Sequence, residues 1–262
     1  DSGQTGSSPN ESGLQQRGVD DAVLTAAASG PGPTAEVHAG LKIAFLCDFS
    51  PLNRNMYSGG NARMYDALVS QGHEVTILSQ SWGLAEPLRW LMHKTPDAIN
   101  LRARWRLHLA LAPIIARGVR AELARGSYDV LFCTYSFHSL SRLRTPYPMV
   151  TAYSSDATPT TYRTSDIGAK YESVIPGGRM LDGWIERCER RVFQQTDLLF
   201  WPSNWLRKKC NALYDLDPKT SVRIAWGANI EKPPKAPPRE IVPGAPLNLL
   251  LVGRDWFAKG GP

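Results

Sequence analysis

The chain reads as an α/β protein, with a Rossmann-like doubly wound parallel sheet followed by the start of a second, truncated domain of the same kind. Three observations predict it. Short, continuous apolar runs recur along the chain, and such runs suit parallel strands covered on both faces. Segments with helical periodicity separate those runs. A proline-rich stretch then interrupts the pattern, and a further apolar run follows it at once.

The elements follow in order. Residues 1–39 are rich in Gly, Ser, Pro and Ala with little periodicity, so they read as a disordered tail. Leu41 to Cys47 (LKIAFLC) is a central strand, broken only by Lys42. Gly59 to Gln71 reads as a helix with Met64 and Leu68 on its apolar face, and Gly72 is its stop. Glu74 to Ser79 is the second strand. Tyr128 to Thr134 and Pro148 to Tyr153 are further strands. Asp182 to Gln195 is an amphipathic helix, with Trp184, Cys188 and Val192 at helical spacing. Asp197 to Trp201 is a strand, Ser203 caps a helix running to Ala212, and Val222 to Ala225 completes the set. These elements make a domain over residues 40–230.

Residues 231–246 (EKPPKAPPREIVPGAP) hold six prolines in sixteen positions. Proline lacks an N–H and fixes φ, so this segment is a semi-rigid interdomain linker. Leu247 to Val252 is a new buried strand, and residues 247–262 form the first strand and phosphate loop of the truncated second domain.

Composition bounds the function. A chain of 262 residues with 42% hydrophobic content builds a real core. The formal charge of +6 suits phosphorylated ligands or an anionic surface. No apolar run approaches the roughly 18 residues that span a bilayer. The first residues lack the pattern of a secretory signal. Cys47, Cys133, Cys188 and Cys210 form no close pair and no zinc spacing, so reduced structural thiols are expected. The expected location is cytoplasmic.

The closing segment carries the chemistry. Leu249 to Gly253 is an apolar run ending in Gly, Arg254 follows, and Lys259 stands five residues on beside Gly260 and Gly261. Two cations and open N–H groups after a buried parallel strand suit a diphosphate. No Ser or Thr follows a Gly-Lys pair, so this is not a Walker loop, and it lacks the dinucleotide fingerprint. The plain alternative is a turn with two surface cations. Earlier, Ser58, Gly59 and Gly60 open a helix, where glycines leave N–H groups open to an anion or a sugar hydroxyl.

In order and spacing, these segments resemble the family 4 glycosyltransferases of the GT-B fold. The resemblance is carried by LKIAFLCDFSP with its Ser58-Gly59-Gly60 loop, by the run FQQTDLLFWPSNWLRKKCNALYDLDPKTSVRIAWGANIEKPP, and by LLLVGRDWFAKGG. It covers residues 41 to 262. It implies transfer of a sugar from a nucleotide-sugar donor to a sugar, lipid-linked or small-molecule acceptor. Retention of anomeric configuration, no cofactor and no obligatory metal are implied as well. Arg254 and Lys259, with Gly253, would hold the donor diphosphate. Gly59 and Gly60 would touch acceptor or phosphate, and Gly227 and Asn229 would line the interdomain cleft. Many members carry a His after the strand equivalent to Pro148–Tyr153. Here the chain reads Tyr153-Ser154-Ser155-Asp156-Ala157-Thr158, so Asp156 is the candidate for that role. A turn-forming Asp is the bland alternative. His138, after another strand, is a weaker candidate. The family's paired glutamates of the donor domain are not in the chain, which is therefore expected to be inactive on its own.

Leu101 to Ala124 reads as a helix with Leu101, Trp105, Leu109, Ala112, Ala116, Val119 and Leu123 on one face. Pro113 should kink or divide it. Arg102, Arg106, Arg117 and Arg120 lie beside the apolar face. Such a segment either packs on the core or lies on an anionic membrane. A non-catalytic Rossmann-like binding module is the rival to the enzyme. The turn after Cys47 is no dinucleotide site, and no nucleic-acid motif accompanies the basic residues.

Overall fold

The computed structural model describes residues 40–79, 82, 85–94, 97–169 and 178–227. The sequence expectations for the 1–39 tail, the 231–246 linker and the 247–262 segment fall outside these residues.

Among the described residues, six parallel strands form one sheet. They are β1 (Lys42–Cys47), β2 (Glu74–Ile77), β3 (Val130–Thr134), β4 (Val150–Ser154), β5 (Leu198–Trp201) and β6 (Ser221–Arg223). Their order is β2-β1-β3-β4-β5-β6. Phe45 of β1 sits beside Ile77 of β2 on one side and Phe132 of β3 on the other. After β2 the chain crosses back over β1 to lay down β3. The carboxyl ends of β1 and β3 therefore flank the switch point where a doubly wound sheet opens a crevice.

Helices flank the sheet. α1 (Gly60–Ser70) follows a 3₁₀ turn at Met56–Gly59. α2 (Glu86–Lys94) and α3 (Asp97–Leu123) join β2 to β3. α4 (Phe137–Leu140), α5 (Pro159–Arg163) and α6 (Asp166–Ala169) are short. α7 (Gly178–Gln195) and α8 (Asn204–Tyr214) complete the order. α2 and the short helices were not legible in the sequence.

The stops and caps follow their expected physics. Gly59 caps α1 at φ +79°, and Gly72 ends the turn after it at φ +84°. Both angles favour glycine. The Ser203 hydroxyl accepts from the Leu206 N–H at 3.1 Å, although α8 runs two residues past the expected end.

The long helix α3 differs from expectation. It runs through Pro113 without dividing. Pro113 faces solvent, while Leu109, Ala112, Ile115, Ala116, Val119 and Leu123 are buried on the opposite side. Burial of that stripe outweighs one lost backbone hydrogen bond. The expected basic row also changes. Arg106 is buried, with its guanidinium 3.3 Å from Asp182, so it is not part of an exposed face. Arg120 donates to the Arg144 carbonyl at 2.9 Å.

The deep face of α7 also departs from the apolar spacing of Trp184, Cys188 and Val192. Its most buried residues are Ile185, Glu189, Val192 and Phe193. Phe193 anchors an aromatic core, with ring centroids 5.1 Å from Tyr153, 5.7 Å from Trp201 and 5.1 Å from Tyr214. All four cysteines are free thiols. Among the described residues, no helix is long and apolar enough to cross a membrane.

Candidate active-site cavity

A cavity of about 1140 Å³ opens at the carboxyl ends of the strands. Asp48 and Phe49 enter it after β1, Tyr135 and His138 after β3, Ser155 to Thr158 after β4, and Ala225 to Gly227 after β6. Ser58, Gly60 and Arg63 bring in the start of α1, while Trp105 and His108 come from α3. Of the residues marked in the sequence, Ser58, Gly60, Asp156 and Gly227 thus share one cavity, and Gly59 sits between two of its wall residues. Asn229, Gly253, Arg254 and Lys259 lie outside the described residues.

The backbone around this cavity is strained. Tyr57 and Ser58 hold φ of 50° and 53°, and Tyr135 holds 59°. Side-chain-bearing residues rarely adopt this left-handed region, and it costs free energy wherever it persists. The Tyr57 and Tyr135 rings stack, with centroids 4.0 Å apart and planes within 9°. Trp226 meets Tyr135 edge-on at 6.1 Å, and Phe49 meets Tyr57 at 5.9 Å. One wall of the cavity is therefore aromatic. Burial raises the Tyr135 phenol, and the charge of Asp156 adds to that rise, so Tyr135 stays protonated beside it.

A second wall is polar and was largely missed from the sequence. The Asp48 Oδ1 lies 3.1 Å from His138 Nε2 and accepts the Ser136 hydroxyl. The Ser136 Oγ also lies 3.2 Å from His138 Nε2 and 3.0 Å from Ser139 Oγ. The His108 ring packs on His138, with centroids 4.1 Å apart. Burial alone would push the Asp48 carboxyl upward. The His138 charge and hydrogen bond, with His108 and Ser136, outweigh it and hold the carboxyl well below the usual range. Burial, reinforced by Asp48, pushes the neighbouring Cys47 thiol up to about 12. It is not a nucleophile at neutral pH. Among the described residues, Asp48, His108 and His138 are the group whose ligand atoms come together, all within 4.8 Å.

The Asp156 segment is pinned from behind. Thr158 caps α5 in a reciprocal box with Thr161, and its hydroxyl lies 2.5 Å from the Tyr214 hydroxyl. The Glu189 carboxylate, fully buried in α7, accepts the Thr160 N–H at 3.1 Å and the Thr160 hydroxyl. Burial pushes Glu189 up to about 7, with the hydrogen bonds from Thr160 opposing.

Residues 61–232 match the model of Glycosyltransferase Family 4. The chain belongs to that family. No curated protein matches it. Membership supports glycosyl transfer in general, with donor and acceptor substrates, and it agrees with the parallel α/β sheet. The matched segment of this glycosyltransferase begins just after the Ser58-Gly59-Gly60 loop and includes Asp156, His138 and Gly227. Asp48 lies just upstream of it. Asp48 was within reach of sequence reasoning, because it directly follows a central strand. His108 was hidden in the apolar periodicity of α3, and nothing in the local sequence marks Ser136.

Proposed function

We propose that this family 4 glycosyltransferase moves a sugar from a nucleotide-sugar donor to a hydroxyl acceptor with retention of configuration. The observation that carries this reading is the cavity at the strand ends, which gathers Ser58, Gly60, Asp156 and Gly227 in a chain of that family. Such a crevice is where open α/β sheets bind ligands.

In this reading Asp156 projects from the end of β4 toward the reacting sugar. Its negative charge stabilises the positive charge that develops at the anomeric carbon. The Gly60 N–H donates to the Tyr57 carbonyl and is not open as expected, so the start of α1 meets a phosphate or a sugar hydroxyl through the turn that follows Gly60. Arg254 and Lys259, in a second domain beginning near residue 247, neutralise the departing diphosphate with no metal on it. Gly253 lets the backbone approach, and Asn229 continues the cleft wall begun by Gly227. The acceptor is a sugar, a lipid-linked molecule or a small molecule with a free hydroxyl. Its location is cytoplasmic, with peripheral contact at an anionic membrane, and exposed Trp90 and Leu91 beside Lys94 on α2 support that contact.

The test uses the protein with a complete second domain and a panel of nucleotide sugars, read by release of nucleoside diphosphate. Asp156→Asn, Arg254→Ala and Lys259→Ala should each lower turnover roughly a hundredfold, since one lost electrostatic donor commonly costs about 3 kcal/mol. Arg254→Lys should recover only part, keeping the charge but losing the planar fork. Binding without any release of diphosphate would instead support a non-catalytic module. Transfer by the 262-residue segment alone would refute the two-domain site.

A further inference from the structure

We infer that Asp48, His108 and His138 form a binding site for one divalent transition-metal ion of the zinc class, on the cavity wall. The three residues come from three separate elements: the end of β1, the middle of α3 and the start of α4. The fold brings one ligand atom from each to within 4.8 Å of the others. The site carries two imidazoles and one carboxylate. That donor set suits zinc, cobalt or nickel, whereas magnesium and calcium prefer oxygen alone.

Distances are compatible with a single ion. Two ligands on bonds of about 2.05 Å at a tetrahedral ion stand about 3.3 Å apart. Asp48 Oδ1 and His138 Nε2 are already 3.1 Å apart. No pair in the group is more than 4.8 Å apart, so loading draws any pair together by at most about 1.5 Å to reach the tetrahedral spacing. The His108 and His138 rings already pack against each other at 4.1 Å, both buried. A chelated cation engages both imidazoles and the carboxylate at once.

An outer shell is present as well. Ser136 donates to Asp48 Oδ1, so it orients the carboxylate as outer-shell partners do at metal sites. Arg89 donates to the Asp48 backbone carbonyl at 3.3 Å and steadies the turn that carries it. Asp48, His108 and His138 all line the cavity, so the remaining coordination positions open on its interior. The site shares no residue with the group assigned to the donor diphosphate. Its success or failure leaves the transferase reading untouched.

The test needs no substrate. The protein is prepared without a polyhistidine tag, stripped with a chelator and dialysed into metal-free buffer. Zn²⁺ is titrated calorimetrically, and Co²⁺ is titrated by visible absorption, with Mg²⁺ and Ca²⁺ as hard-cation controls. The expected result is one Zn²⁺ or Co²⁺ per chain, ligand-field bands for Co²⁺, and no comparable uptake of Mg²⁺ or Ca²⁺. Asp48→Asn and His138→Gln should each weaken binding by more than about a hundredfold. Ser136→Ala should weaken it about ten- to a hundredfold, the usual cost of losing an outer-shell partner. His73→Gln, outside the cavity, should leave it unchanged. No saturable uptake by the wild-type chain overturns the site whatever the variants do. Equal uptake by wild type and by the folded double variant His108→Gln/His138→Gln, checked by circular dichroism, overturns it too.

Discussion

Glu189 makes the stability of this domain fall as pH rises through neutrality. The carboxyl is fully buried in α7 and accepts two hydrogen bonds from Thr160. Around it stand the hydroxyls of Thr158 and Tyr214 and the buried Cys210 thiol, with Lys209 acting on that thiol from the same helix. Burial dominates, and the carboxyl moves from its ordinary 4.5 up to about 7. The folded state therefore binds a proton that the unfolded chain has already released. Between those two values the native state carries more protons than the unfolded state, so stability drops with rising pH. At about 1.4 kcal/mol per pH unit, the separation is worth about 3 kcal/mol.

The perturbation is Glu189→Gln, which keeps the shape and removes the titration. Urea unfolding of wild type and variant at a series of pH values from 4.5 to 7.5 isolates the residue. The wild type should lose about 3 kcal/mol relative to the variant across that range, with little further change above it. Asp48 does not blur the comparison. Its folded carboxyl is held below the ordinary 3.8, so its contribution is present above that value and is lost only as pH falls below it. The difference between the two proteins also cancels every group they share. Parallel curves for wild type and variant would falsify the assignment of a neutral-range proton to Glu189.

Two further outcomes follow from other buried and exposed groups. Arg106→Met removes one partner of a buried pair and leaves Asp182 with Arg163 at 3.7 Å, so stability should fall by about 3 kcal/mol in urea unfolding; a loss under about 1 kcal/mol would show the pair to be idle. Co-sedimentation with liposomes should rise with anionic lipid, fall with salt and weaken in Trp90→Ser/Leu91→Ser, whereas equal binding to neutral vesicles would remove the membrane reading.

The fold was legible because its signals are local and repeated. Leu41 to Cys47 shows no alternation, and it became the twice-flanked strand β1. Gly72 and Ser203 marked helix ends by chemistry that acts within a few residues. Pro113 misled for the opposite reason. Its local cost is real, but the stripe from Leu109 to Leu123 is buried in a core assembled from elements distant in sequence, and that burial is invisible to a rule about one residue.

The site was less legible because its polar wall is assembled across long separations. Asp48 and His138 are 90 positions apart, and the crossover that lays β3 beside β1 brings them to 3.1 Å. Glu189 and Asp182 stand on the deep face of α7, where helical periodicity expects apolar residues. Arg106 and His108 do the same in α3. Each of these side chains has little standing in a pattern read one segment at a time. A polar residue on a buried face is tolerated when a partner from another element meets it. Arg106 meets Asp182, Glu189 meets Thr160, and Asp48 meets Ser136 and His138. A polar residue breaking the apolar face of a helix in a doubly wound sheet is therefore a useful signal in its own right. In this chain such breaks lead to the wall of the cavity at the switch point and to the clamp behind Asp156.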